Sequence, residues 1–171
     1  IEYSVKRYKL KRDIENLLLS EGYKNIEPSI FEDYEEFISV NKRIEKSATV
    51  KVLNGNGKIS ILRPDVTTNL IRNFAPKWEE NLKLKLFYYS KIFKNSKSGT
   101  KEVRQMGIEY LGEKEIKADE EVIDLAIRIL SKYRENYILE IGSSEFLNGL
   151  LGEFYFEDEE YKKIIDLIYK K

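Results

Sequence analysis

Apolar residues recur at Val5, Tyr8, Leu10, Ile14, Leu17 and Leu18, a spacing that predicts a helix over 4–20. Gly22 is its natural stop, because glycine accepts the left-handed backbone that ends many helices. Residues 23–32, YKNIEPSIFE, read as extended, since Pro28 disfavours helix in the residue before it. YEEFISV (34–40) reads as a short helix. Alternation takes over in TVKVL (49–53) and KISIL (58–62), and the Asn-Gly pairs between them predict a hairpin. TTNLIRNFA (67–75) returns to helical spacing and ends before Pro76. LKLKLFYYSKIF (82–93) and VRQMGIEYL (103–111) predict two long strands of an antiparallel hairpin, with NSKSGTKE (95–102) as a polar loop between them. DEEVIDLAIRILSKY (119–133) is the clearest helix, with Asp119 and glutamates at its start and Lys132 and Arg134 near its end, as the macrodipole favours. YILEI (137–141) reads as a strand, and SSEFLNGLL (143–151) and EDEEYKKIIDLIYKK (157–171) read as helices. No internal repeat or low-complexity linker interrupts the chain. This order of elements points to an α+β fold in a single domain over residues 1–171.

Composition narrows the chemistry more than the fold. The 171 residues suffice for one domain with a real core, and 42% hydrophobic with 35% charged residues is an ordinary balance for a water-soluble chain. Formal net charge is zero, which argues against a nucleic-acid binder that works by bulk positive charge. There is no cysteine and no histidine. Disulfides, thiolate metal sites, a cysteine nucleophile and the commonest general base are therefore excluded. Any chemistry falls to carboxylates, Lys, Arg, Tyr and hydroxyls, and no cofactor or metal is expected. No apolar run approaches the ~18 residues of a membrane span, and no signal peptide is visible. A cytoplasmic protein without membrane association is the expectation.

Two stretches carry candidate chemistry. In LRPDVTTNLIR (62–72), Asp65 is placed to cap the helix that follows, a role Thr67 or Thr68 could share. A carboxylate beside a hydroxyl would equally suit a ligand ammonium. In VRQMGIEYL, alternation puts Gln105, Gly107 and Glu109 on one face and Arg104, Met106, Ile108 and Tyr110 on the other. Gly107 weakens a strand, so it marks either a bulge on a solvated face or room for a small polar ligand between an amide and a carboxylate. NSKSGTK carries Lys94's neighbours Lys97 and Lys101 around Gly99, but it lacks the spacing of phosphate-binding loops and reads as a solvated hairpin tip. FYYSKIF reads as strand core. In the last helix, Tyr161, Ile164, Ile165 and Ile168 form an apolar stripe that either packs on the domain or serves as a docking face.

Read in order, EGYKNIEPSIFE, GKISILRPDVTTNLIR, FYYSKIFK and VRQMGIEYLGEKEIKADEEVIDLAIRIL resemble the catalytic domain of the histidyl-tRNA synthetase family, over residues from about 4 to 150. They resemble still more the family's non-ligating paralogues, which regulate ATP phosphoribosyltransferase. The resemblance implies a class II aminoacyl-tRNA synthetase-like antiparallel sheet flanked by helices, truncated relative to the family. It implies a homodimer within a hetero-oligomer, because EPSIFE matches the motif that builds the family's dimer interface. It also implies a histidine pocket, with Asp65 and Thr67 toward the ligand's α-ammonium, and Gln105 and Glu109 in the same pocket, Glu109 toward the imidazole.

The departures from the ligase pattern carry as much weight. Ligases have F-R-x-E where this chain has FKNS: Lys94 stands for the arginine that grips the α-phosphate of ATP, and Ser96 for the glutamate of that nucleotide site. Lysine keeps the charge and loses the planar fork, which is a poor exchange at a phosphate clamp. The following loop is shorter and poorer in arginine. No G-G-R-Y-D-type segment, final arginine motif or anticodon-binding domain is found. The resemblance therefore implies a non-catalytic subunit. It would activate the short-form catalytic subunit of ATP phosphoribosyltransferase, a glycosyltransferase in histidine biosynthesis, with L-histidine as effector. The alternatives are an active or degenerate histidine ligase, and a plain interaction module without a ligand.

Overall fold

In the computed structural model, residues 2–41, 44 and 46–169 are described. The last two residues of the helix expected over 157–171 lie outside them. The chain divides into two compact units, 1–131 and 132–171.

The first unit opens with α1 (Glu2–Ser20). Its end is stitched as the sequence predicts: Gly22, at φ +84, donates its N–H to Leu19 O at 3.1 Å, and Tyr23 donates to Leu18 O at 3.0 Å. These paired bonds satisfy carbonyls that the helix leaves open. A two-residue strand, β1 (Lys24–Asn25), pairs in parallel with β5 (Leu84–Ser96), which runs antiparallel to β6 (Gly99–Leu111) along its whole length. A second sheet holds β2 (Phe31–Asp33), β4 (Ile59–Leu62) and β3 (Val50–Leu53), in the order β2-β4-β3 and all antiparallel. The α+β expectation stands, with the sheet resolved into two and a short parallel edge on one of them.

The Asn-Gly hairpin is present. Asn54 Oδ1 accepts the N–H groups of Asn56 and Lys58 at 3.1 and 3.0 Å, which fixes the register of β3 against β4. α2 (Tyr34–Val40) packs on β2 and β4, and α3 (Val66–Phe74) runs into a 3-10 turn at Ala75–Lys77, where Pro76 cannot continue it. α4 (Lys117–Tyr133) follows β6.

Two expectations need correction. NSKSGTKE is not a loop: β5 and β6 stay paired to Ser96 and Gly99, leaving only Lys97 and Ser98 at the turn. Gly99, at φ +103, takes a backbone that other residues resist. The polar sequence misleads because a ladder needs only a backbone partner, and at an exposed tip neither face has to be apolar. YILEI is not a strand either. Among the described residues no strand pairs with it, and Ile138 is 88% exposed. Apolar alternation predicts extension, whereas a strand also needs a neighbouring edge. In this second unit α5 (Ser144–Gly152) and α6 (Asp158–Tyr169) appear as expected, Ser143 capping α5 through the Phe146 N–H.

The β1-β5-β6 sheet is covered on both faces. On one, Leu18, Tyr23, Phe87 and Leu125 pack together with Ile14 and Ile108, bringing α1 and α4 onto the sheet. On the other, Val66 and Leu70 of α3 pack on Tyr88 and Ile92. This alternation along β5 sends Phe87 to one core and Tyr88 to the other.

Arg63 joins the two sheets. It is 1% exposed, and its guanidinium donates to the carbonyls of Pro28 and Ser29 through Nη1 and to Lys91 O, at 2.7 Å, through Nη2. Its backbone bonds Ile30 O at 2.8 Å and accepts from Phe93 N at 2.9 Å. Replacing it leaves three carbonyls without their donor and opens a large void. Arg63→Leu should cost about 3 kcal/mol, to be read from urea denaturation; a loss under about 0.5 kcal/mol, the scale of an ordinary surface change, would remove Arg63 from this role.

Candidate functional site

Asp65 and α3 define one wall of the site. Asp65 is in extended conformation just ahead of the helix, and its Oδ2 accepts the Thr68 N–H at 2.7 Å. It is therefore the N-cap, as one of the two sequence readings holds. The cap leaves Thr67 free to turn toward β6, where its hydroxyl donates to Glu109 Oε1 at 2.6 Å. Behind α3, Arg72 Nη1 lies 3.1 Å from the buried Glu32 Oε2 of β2. Burial pushes the Glu32 carboxyl up, and the Arg72 charge opposes that shift. The pair ties α3 to the second sheet and so holds the wall in place.

The floor is the face of the β5–β6 hairpin that carries Gln105, Gly107 and Glu109. The gap at Gly107 is not open space. Tyr88 stands directly across the ladder from Gly107, and a methyl group at 107 would collide with its ring and hydroxyl. The aromatic residue therefore fills the space that alternation alone assigns to a ligand. Tyr88 is 2% exposed, and its hydroxyl accepts Gln105 Nε2 at 3.1 Å. Burial, then the nearby Glu109 and Asp65 carboxylates, push the phenol up to about 12, so it stays protonated at neutral pH. Burial also pushes the Glu109 carboxyl up; the Thr67 hydroxyl partly offsets this and the Asp65 charge adds to it.

A cavity of about 680 Å³ lies over this floor. Asp65, Thr67 and Thr68 from the start of α3, Gln105 from β6, Lys94 from β5 and Asn41 line it. Three of the four residues expected to bind a ligand thus face one cavity. The fourth, Glu109, sits behind Thr67 and reaches the cavity through it. Lys94 and Ser96, read as one degenerate motif, separate: Lys94 lines the cavity, whereas Ser96 is at the exposed hairpin tip, bonding Gly99 O at 2.9 Å. Lys101 pairs directly opposite Lys94.

Sequence reasoning missed Tyr88 as a site residue and Arg63 as its support. The signal for Tyr88 was available only with the register: a tight turn at 97–98 places the aromatic opposite the glycine. The site is rich in acceptors, with two carboxylates and a neutral phenol. It suits a small cationic donor such as an ammonium or imidazole N–H. The neutral phenol and capped carboxylate provide no evident nucleophile. Among the described residues, no helix is long and apolar enough to cross a membrane, and no acidic cluster could hold a metal ion.

Known proteins resemble the chain closely enough to classify it. The sequence model of the family described as Histidyl-tRNA synthetase matches residues 2–171. The ATP phosphoribosyltransferase regulatory subunit of Clostridium acetobutylicum is 32% identical over 95% of this chain and 42% of its own length. Its counterpart in Oceanobacillus iheyensis is 30% identical, over 98% of this chain and 42% of its own length. The chain thus spans about two fifths of the length of the curated relatives it matches. Among solved structures, an ATP phosphoribosyltransferase regulatory subunit/histidyl-tRNA synthetase from Bacillus halodurans superposes with a TM-score of 0.61 at 32% identity, covering 73% of this chain and 34% of the other. A chain of the ATP phosphoribosyl transferase (HisG:HisZ) complex from Thermotoga maritima gives 0.73 at 18% identity, covering 94% and 54%. The latter supports the fold alone.

The raised carboxyl of Glu109 makes a prediction for the unliganded protein. Its folded pKa lies above the ordinary 4.5, so burying the charged form costs stability as pH rises through that folded value. Glu109→Gln removes this cost and can still accept the Thr67 hydroxyl. The variant should therefore be the more stable at pH 7, with the gap closing as pH falls toward 4.5. Thermal melting across that range checks it; a gap that grows on acidification would reverse the assignment.

Proposed function

Because the chain belongs to the histidyl-tRNA synthetase family, we propose that it is a non-ligating member. It binds histidine in the Asp65–Gln105 cavity and regulates a partner enzyme. That partner is the short-form catalytic subunit of ATP phosphoribosyltransferase, which joins ATP to phosphoribosyl pyrophosphate at the start of histidine biosynthesis. The chemistry belongs to the partner, and this chain activates it and transmits inhibition by L-histidine. A homodimer within a hetero-oligomer is part of the same reading, as is a cytoplasmic location.

The observation that carries the reading is the cavity itself, lined by Asp65, Thr67 and Gln105, with Glu109 bonded to Thr67, a neutral Tyr88 bonded to Gln105, and Lys94 where a ligase needs the planar arginine fork. Histidine offers an ammonium for Asp65 and an imidazole N–H for the Glu109 end. The names of relatives at about 30% identity supply the partner. Adenylate formation requires a clamp on a phosphate in flight, and a lysine with Ser96 in place of the ligase glutamate is a weak one. Regulation then needs differential affinity: histidine must bind one state of the assembly better than the other, since equal affinity shifts nothing.

The test is the activity of the short-form catalytic subunit with and without this protein, then with histidine added. Activation that histidine reverses is the expected result. Glu109→Ala should weaken histidine binding at least about tenfold, the scale of one lost charge-assisted hydrogen bond, by calorimetry. No activation, together with histidine-dependent ATP–pyrophosphate exchange, would replace the regulatory reading with a ligase.

A further inference from the structure

Helix α1 has two apolar faces and only one of them is covered. Ile14 and Leu18 pack it onto the β1-β5-β6 sheet. Val5, Tyr8, Arg12 and Leu19 recur at i, i+3, i+7 and i+14, a single line along the helix turned away from Ile14 and Leu18. On that line Val5 is 46%, Tyr8 61% and Leu19 55% exposed. Every residue from Glu2 to Leu10 is exposed, and Lys11, its ammonium 5.1 Å from the centre of the Tyr89 ring, is the first that is partly covered. Half of α1 therefore stands in solvent, although a helix of ~10 residues is marginal in water without packing. Its charge is one-sided. Five of the seven residues 6–12 are basic, in a chain whose formal net charge is zero. Lys6 and Lys11 pair with Glu2 and Glu15 at 2.7 and 3.0 Å. Among the described residues no carboxylate lies within ion-pair distance of Lys9, beside the exposed line, or of Arg12, on it.

We propose that this outer face of α1 docks the protein on its partner enzyme, seating Val5, Tyr8 and Leu19 in an apolar groove with an acidic rim. A helix laid in a groove is read through anchors at this spacing. Tyrosine and arginine are the residues that most often carry binding energy at such contacts, and Lys9 and Arg12 steer the approach of an acidic surface. The α1 face of a second copy is a poor occupant, because it would bring like charges together. A nucleic acid would answer the cations and leave the aliphatic positions without contact. A lipid surface needs a broader apolar arc than one line of side chains. The inference rests on the regulatory reading given above and adds to it the surface through which the partner is held. That surface is on the α1 side of the sheet, whereas α3 and the cavity are on the other. Docking and ligand binding are therefore separable by mutation.

Titrating the short-form catalytic subunit with this protein, and reading the concentration that gives half-maximal activation, tests this. Lys9→Glu combined with Arg12→Glu should raise that concentration at least about tenfold at ~0.05 M salt, and by much less at ~0.5 M, where screening weakens rim charges. Tyr8→Ala should raise it by about tenfold at both, as the loss of an apolar anchor does. Lys9→Arg keeps the charge and should behave as wild type. These side chains are exposed and lie outside the cavity, so thermal melting and calorimetric histidine binding of the variants should be unchanged. Half-maximal activation at the wild-type concentration in both the charge-reversed and Tyr8→Ala variants overturns the proposal and leaves the regulatory reading standing. So does an unshifted half-point when the same variants lose self-association in sedimentation, which assigns the face to a second copy. Loss of binding to a single-stranded RNA or to anionic vesicles, again with the half-point unshifted, overturns it in favour of a polyanion or a lipid surface. Wild type that fails to activate removes the regulatory reading itself, and this inference with it.

Discussion

From the end of β4, the Arg63 guanidinium binds the approach to β2 to the middle of β5, two stretches of backbone in different sheets. Burying a cation is costly, and here hydrogen bonds to three carbonyls offset the cost. Burial lowers its pKa, while an arginine still remains charged. The residue after next is Asp65, so the same contact that unites the sheets fixes where α3 begins. The direction in which Asp65 and Thr67 face the hairpin follows from that anchor. The site is thus a consequence of how the two sheets are joined.

The floor depends on a second pairing, between the largest and the smallest residue of two facing positions. Tyr88 can lie down across β6 only because Gly107 has no side chain. The ring is held on its other side by Val66 and Leu70 of α3. One aromatic residue therefore packs the core beneath the helix and presents its hydroxyl to Gln105 in the site. Rigidity and recognition share a side chain, which is how a small domain can hold polar groups in fixed positions with few supporting layers.

Electrostatics then set the protonation of the site's groups. A phenol raised to about 12 is a donor or acceptor of hydrogen bonds and no base at neutral pH. Asp65 spends one oxygen on the Thr68 amide, and Glu109 is held by Thr67. These groups are organised to receive a proton donor, with acceptors already oriented and partly desolvated.

Much of the secondary structure was legible in the chain. The stop at Gly22, the Asn-Gly hairpin, the cap at Asp65 and the amphipathic α4 each follow from local chemistry acting over a few residues. The motif residues Asp65, Thr67, Gln105 and Glu109 could be singled out for the same reason, since strand alternation and cap spacing are local rules. Local rules failed where a partner was needed. YILEI has the pattern of a strand and, among the described residues, no strand that pairs with it, while the polar tip of the hairpin lacks the pattern and stays paired to Ser96 and Gly99. Tyr88 could not be recognised as part of the site, nor Arg63 as its anchor, because each acquires its role from groups 17 to 35 residues away in sequence. Composition and periodicity settle what each segment can be; the register of β5 on β6, and the burial of one arginine between two sheets, settle which side chains meet, because contacts between distant residues are set by the packing of whole elements.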